Sequence, residues 1–214
     1  MCIRDRLGVS LKAGTSGSKE PILNTYVKPV FDYFGKPADY LKLKQSLYPQ
    51  YRDAGVSELD LKTKWGSSQL AQQLGKFEKE DSKEYNRLYD INLSLVRDAM
   101  VRLFNSDIKK TRKFIKSEIL KTQLKTPFIK VKTTQTTAYI DKTYDQLSAG
   151  LEAATSIIAS PGGSKQEFIL KLTDGITLDM EFSARTNKSG FLHKLGQFEN
   201  LAMKFNAISG FTKN

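Results

Sequence analysis

The sequence predicts an α+β or mixed α/β fold, with an N-terminal strand, a helical middle and a β-rich C-terminal third. Three observations predict it. Leu7, Val9 and Leu11 alternate with Gly8, Ser10 and Lys12, the period-two pattern of a half-buried strand. Tyr85, Leu88, Ile91, Leu95, Ala99 and Leu103 recur at three- and four-residue steps, the stripe of a long amphipathic helix. Two alternating runs, Glu167–Leu172 and Ile176–Phe182, flank Thr173-Asp-Gly175, and an Asp-Gly pair suits a tight hairpin turn.

The elements follow in order. The first strand runs into a loop of small residues, Gly14-Thr-Ser-Gly-Ser-Lys19. Val30–Phe34 is a short helix with Pro29 in its first turn and Gly35 as its C-terminal cap. Asp39–Tyr51 is a second helix, with Leu41, Leu47 and Tyr48 spaced to share a face. Ser67 or Ser68 caps a third, which carries Leu70, Leu74 and Phe77. Asp81-Ser-Lys-Glu84 has the form of a capping box and opens the long helix. Asn105-Ser-Asp107 breaks the chain before a helix over Ile108–Leu124, with Ile108, Ile115 and Ile119 on its buried side.

From Pro127 the texture is β. Phe128–Lys132 and Thr136–Ile140 are predicted strands, and Asp145–Ser156 a short helix. Ser160–Ser164 is predicted to turn, Arg185–Gly190 to form a basic loop, and Leu195–Ile208 to be helical from the spacing of Phe198, Leu201, Ala202 and Phe205. The chain reads as one domain over residues 7–214, helical over about 20–125 and β-rich over about 126–214. Met1–Arg6 resembles a translated sequencing-adapter scar; on that reading the natural chain starts upstream and Cys2 is not native.

The 34 Lys plus Arg outnumber the 23 Asp plus Glu, a net charge of +11. The surplus concentrates in residues 105–145, with ten basic and four acidic side chains. Such a surplus favours a polyanion, nucleic acid above all, DNA being preferred here. Lys109, Lys113 and Lys116 stand at i, i+4 and i+7 with Arg112 beside them, the arrangement of a phosphate-tracking helix face. Lys19, Arg185, Lys188 and Lys194 are further candidates for phosphate contact. Asp179, Glu181, Ser183 and Arg185 share one face of their strand. One histidine, His193, and no native cysteine argue against a zinc site or a Ser-His-Asp triad. Apolar runs are short and no secretory signal opens the chain, so a cytoplasmic protein without membrane association is expected.

Val9-Ser-Leu-Lys12 resembles the second half of the motif of PD-(D/E)XK nucleases, the restriction-endonuclease-like family, in which an acidic residue precedes a lysine by two positions on one strand. Lys12 matches and Ser10 stands where the family has the acid. The resemblance implies catalytic roles for Lys12 and Ser10, Mg²⁺ as cofactor and phosphodiester hydrolysis. The family's preceding aspartate would lie upstream of residue 7, and Asp5, inside the suspected scar, does not supply it. The fragment is therefore expected to be weakly active or inactive. The alternative is a non-catalytic nucleic-acid-binding protein, or a phage accessory or structural protein.

Overall fold

A computed structural model describes residues 8–13, 23–53, 68–119, 128–133, 136–140, 143–175, 179–187 and 200–209. The α+β expectation holds: helices and strands build two separate sheets. Strands β1 (Gly8–Ala13), β3 (Phe128–Thr133) and β4 (Ala138–Ile140) form a three-stranded sheet in the order β1-β3-β4. Strands β2 (Leu23–Tyr26), β5 (Ser156–Pro161), β6 (Glu167–Thr173), β7 (Asp179–Asn187) and β8 (Asn200–Ser209) form an antiparallel sheet in the order β2-β8-β7-β6-β5. The helices are α1 (Val27–Tyr33), α2 (Pro37–Asp53), α3 (Ser68–Glu80), α4 (Ser82–Ser106), α5 (Ile108–Phe114) and α6 (Thr143–Ala153). A π-helical turn, Ile115–Ile119, continues α5.

Helix α4 is the central packing element, and its local chemistry starts it where the sequence predicts. The Asp81 carboxylate accepts the Glu84 amide at 2.9 Å. Asp107 repeats the device for α5, accepting the Lys110 amide at 2.9 Å. Each cap satisfies a backbone donor that has no partner inside the helix, a gain of about 1 kcal/mol. At the other kind of terminus, Gly35 follows α1 with φ 70°, a left-handed conformation that a Cβ would strain.

At 25 residues, α4 spans roughly 37 Å at 1.5 Å per residue, long enough to cross the sheet and pass under α2 and α3. It packs along β5, β6 and β7. The sheet offers it one apolar face, on which Ile157, Ala159, Phe168, Leu170 and Leu172 are all buried. Phe104 sits at the junction: its ring lies 5.4 Å from Phe34, 5.5 Å from Phe114 and 5.7 Å from Phe168. It thereby joins α1, α5 and the sheet into one core.

Edge strand β5 is closed by a side chain. Asn105 donates to the Ala159 carbonyl at 2.9 Å and accepts from the Ala159 amide at 2.8 Å, so its amide occupies the place of a missing strand. The β5–β6 turn then passes Gly162, where a Cβ would stand 2.8 Å from Glu167 Cγ and 3.1 Å from its carbonyl oxygen.

Several predicted elements are corrected. Ser156–Pro161 is a strand; the predicted helix ends at Ala153, and the turn begins only at Gly162. Arg185, Thr186 and Asn187 belong to β7 and not to a loop. The predicted C-terminal helix is a strand from Asn200 to Ser209. Its register sets Leu201, Met203, Phe205 and Ile208 on the same face as Phe168, Leu170 and Leu172. A bulge at Asn206, where the register shifts opposite Glu181 and Phe182, turns one two-residue step into three. The helix-like spacing of Leu201, Ala202 and Phe205 mixes the two faces of the strand, since Ala202 takes the register position of Arg185 on the face opposite Leu201 and Phe205.

Two side chains expected inside are outside. Ile108 is 47% exposed because it begins α5 at the end of the packed face that Thr111, Phe114 and Ile115 continue inward. Leu41 is 44% exposed; α2 turns Tyr40 and Leu43 to the core in its place.

Candidate nucleic-acid interface

The two sets of candidate residues, those of α5 and those of β1, meet different fates. On α5 the cations are largely spent on the fold. The Arg112 guanidinium donates to the Leu151 carbonyl and, at 2.6 Å, to the Ala154 carbonyl. These are unsatisfied acceptors at the C-terminus of α6, where the helix dipole also favours a positive charge. Lys116 pairs with Glu152 on the same helix, and this pairing holds the Glu152 carboxyl below its ordinary pKa, by hydrogen bond first and by charge second. Lys110 donates to the Phe34 carbonyl at 3.0 Å, one residue before the Gly35 turn. Lys109 and Lys113 are exposed and point the remaining charge of the helix to solvent. The four predicted phosphate contacts thus separate: Arg112 and Lys116 brace α6, and Lys109 and Lys113 stand on the surface.

On the three-stranded sheet the register places lysines on one face. Parallel pairing of β1 with β3 sets Ser10 beside Lys130 and Lys12 beside Lys132, and the antiparallel β3–β4 pair sets Tyr139 beside Lys132. Residues paired across a ladder share a face. One face of this sheet therefore carries Ser10, Lys12, Lys130, Lys132 and Tyr139. The opposite face carries Val9, Leu11, Ile129, Val131 and Ile140. Local sequence produces both faces, since Ile129-Lys-Val-Lys132 alternates in the same sense as Val9–Lys12; Phe128, paired with Gly8, is the one apolar residue of β3 on the lysine face. No motif marks Lys130 and Lys132 in the sequence; the signal that finds them is this shared alternation. Like charges side by side on neighbouring strands oppose the pairing by a few tenths of a kcal/mol.

Arg185 lies in β7 at the register position of Glu167, and Glu181 at that of Lys171. Asp179, Glu181, Ser183 and Arg185 do share a face, the one opposite the buried Phe168, Leu170 and Leu172. Lys19, Lys188, Lys194 and His193 lie outside the described residues.

A Mg²⁺ site would need carboxylate or other oxygen ligands near Lys12. The register sets Lys130 beside Ser10 and Lys132 beside Lys12. Among the described residues, no three His, Cys, Asp or Glu side chains cluster closely enough to hold a metal. No helix among them is long and apolar enough to cross a membrane. No family model, curated protein or solved structure matches the chain.

Proposed function

We propose that the protein binds nucleic acid, DNA foremost, through the lysine face of the three-stranded sheet, without cleaving it. One observation carries the reading: the register sets Lys12, Lys130 and Lys132 on one sheet face, and among the described residues paired across that face none is acidic. Each such lysine adds to the field that a phosphate backbone meets, and Tyr139 on the same face suits stacking on an unpaired base. The face is reached by two segments more than a hundred residues apart, so the fold itself assembles the charge.

The test is DNA affinity against salt concentration, with and without Mg²⁺, while the same samples are watched for cleavage. Each lysine-to-phosphate contact contributes about 0.9 to the log–log slope. The triple change Lys12→Ala, Lys130→Ala and Lys132→Ala is expected to reduce that slope by about 2–3. An unchanged slope would overturn the reading. Mg²⁺-dependent nicking lost in Lys12→Ala would instead support the restriction-endonuclease-like alternative, with Lys12 stabilising charge on the phosphate.

A further inference from the structure

Between α2 and α4 lies a half-open cleft of about 490 Å³, within the size range of small-molecule sites. Its floor is apolar: Phe31, Leu43, Leu95, Ala99 and Leu103 line it, and all but Leu95 are buried. Its rim carries three cations, Lys36, Lys42 and Arg102, against one carboxylate, Asp39. The two lysines straddle Asp39 at 3.7 and 4.0 Å, long and exposed ion pairs that hold neither firmly. Two hydroxyls complete the lining. Ser46 donates to the Leu43 carbonyl at 2.6 Å and Ser106 to the Leu103 carbonyl at 2.7 Å. Their protons are thereby committed, and each presents only oxygen lone pairs to the cleft.

We propose that this cleft binds a nucleoside monophosphate. The three parts of the lining each select one part of such a ligand. A rim surplus of two positive charges matches the roughly −1.5 to −2 charge of a phosphate monoester better than that of a single carboxylate. Arg102 adds a guanidinium fork, which holds two phosphate oxygens at once. The apolar floor takes a flat base. Ser46 and Ser106, able only to accept, take donors from a sugar hydroxyl or a base amino group. A fatty acid has neither the second charge nor the donors, and inorganic phosphate leaves the floor uncovered. The ligand's source is either a free nucleotide or the 5′-phosphorylated end of a strand.

The test is isothermal titration of the full chain with adenosine 5′-monophosphate, adenosine and inorganic phosphate. The nucleotide is expected to bind at least about ten-fold tighter than either fragment, and Arg102→Ala to weaken it by about ten-fold. Arg102 is exposed, so this variant keeps the core. Asp39→Asn is expected to tighten binding roughly two- to five-fold by removing the one repelling charge. Displacement of the nucleotide by a 5′-phosphorylated decathymidylate but not by its unphosphorylated form assigns the strand end; displacement by neither assigns the free nucleotide. Equal affinity for nucleotide and adenosine, insensitivity to Arg102→Ala, weakening in Asp39→Asn, or equal displacement by both oligonucleotides would each overturn the proposal. Lys130→Ala is expected to leave this titration unchanged, so the cleft and the lysine face of the three-stranded sheet stand or fall separately.

Discussion

The basic residues of α5 and its π-helical continuation are dense along the sequence, whereas those of the three-stranded sheet are sparse and brought onto one face only by strand pairing. On α5, each of Lys110, Arg112 and Lys116 meets a backbone carbonyl or a carboxylate of another element. On the sheet, the register sets Lys12 opposite Lys132 and Lys130 opposite Ser10. A helix end supplies ready acceptors for cations, because its last carbonyls have no partner inside the helix. A sheet face supplies none, because the ladder consumes its backbone acceptors. Cations near a helix C-terminus therefore become structure, as Arg112 and Lys116 do at α6.

The largest effect expected concerns the body that α5 helps to build. Phe104→Ala should cost about 3–5 kcal/mol in urea unfolding, since it opens a cavity where α1, α4, α5 and β6 meet. A loss under about 1 kcal/mol, within the range of surface substitutions, would mean that these elements do not share one core.

The sharpest comparison pairs Arg112→Ala with Lys130→Ala. The first should lose about 1.5–3 kcal/mol of stability, the worth of hydrogen bonds to a charged group, with DNA affinity nearly unchanged. The second should weaken DNA binding and leave the melting curve within about 0.5 kcal/mol. Reversed outcomes would reverse the assignment of the two regions.

A smaller effect tests what burial does to a cation inside the helical body. Lys44 is 5% exposed and lies 5.9 Å from the centre of the Tyr40 ring. Burial first, and the nearby Lys28 charge second, lower its pKa from 10.5 to about 8. Below pH 8 the lysine is charged in both folded and unfolded chains, and the buried charge costs stability in full. Between pH 8 and 10.5 only the unfolded chain holds the proton, so that cost is relieved as pH rises. Lys44→Met should flatten this rise and add about 1–2 kcal/mol at pH 7, read from unfolding midpoints across that pH window. An equally steep rise in the variant would show that another group carries it.

Much of the local punctuation was legible. Asp81, Asp107 and Gly35 end or begin helices as their types require, whereas the strand after Asp174-Gly175 pairs with β6 only from Asp179, opposite Thr173, and not from Ile176 as a tight Asp-Gly hairpin would have it. The strand holding Ser10 and Lys12 was legible as well. Its neighbour was not, since pairing with β3 spans the whole helical middle and leaves no mark in either segment beyond a shared alternation. In β8, apolar residues on both faces, Leu201 and Phe205 on one and Ala202 on the other, imitate helical spacing, and Ser156–Pro161, two residues beyond the end of α6, was legible as a strand only through its pairing with β6.

By itself, the sequence determined where helices are capped, where the long amphipathic stripe runs and how much positive charge the chain carries. Caps, stripes and charge depend on residues a few positions apart, and local backbone geometry reads them directly. Only the tertiary structure decided which cations brace a helix end, which gather on one sheet face, and that α2 and α4 leave a cation-rimmed cleft between them. Those outcomes depend on segments far apart in the chain, joined by burial and strand pairing, and burial responds to the whole core and to no single neighbourhood.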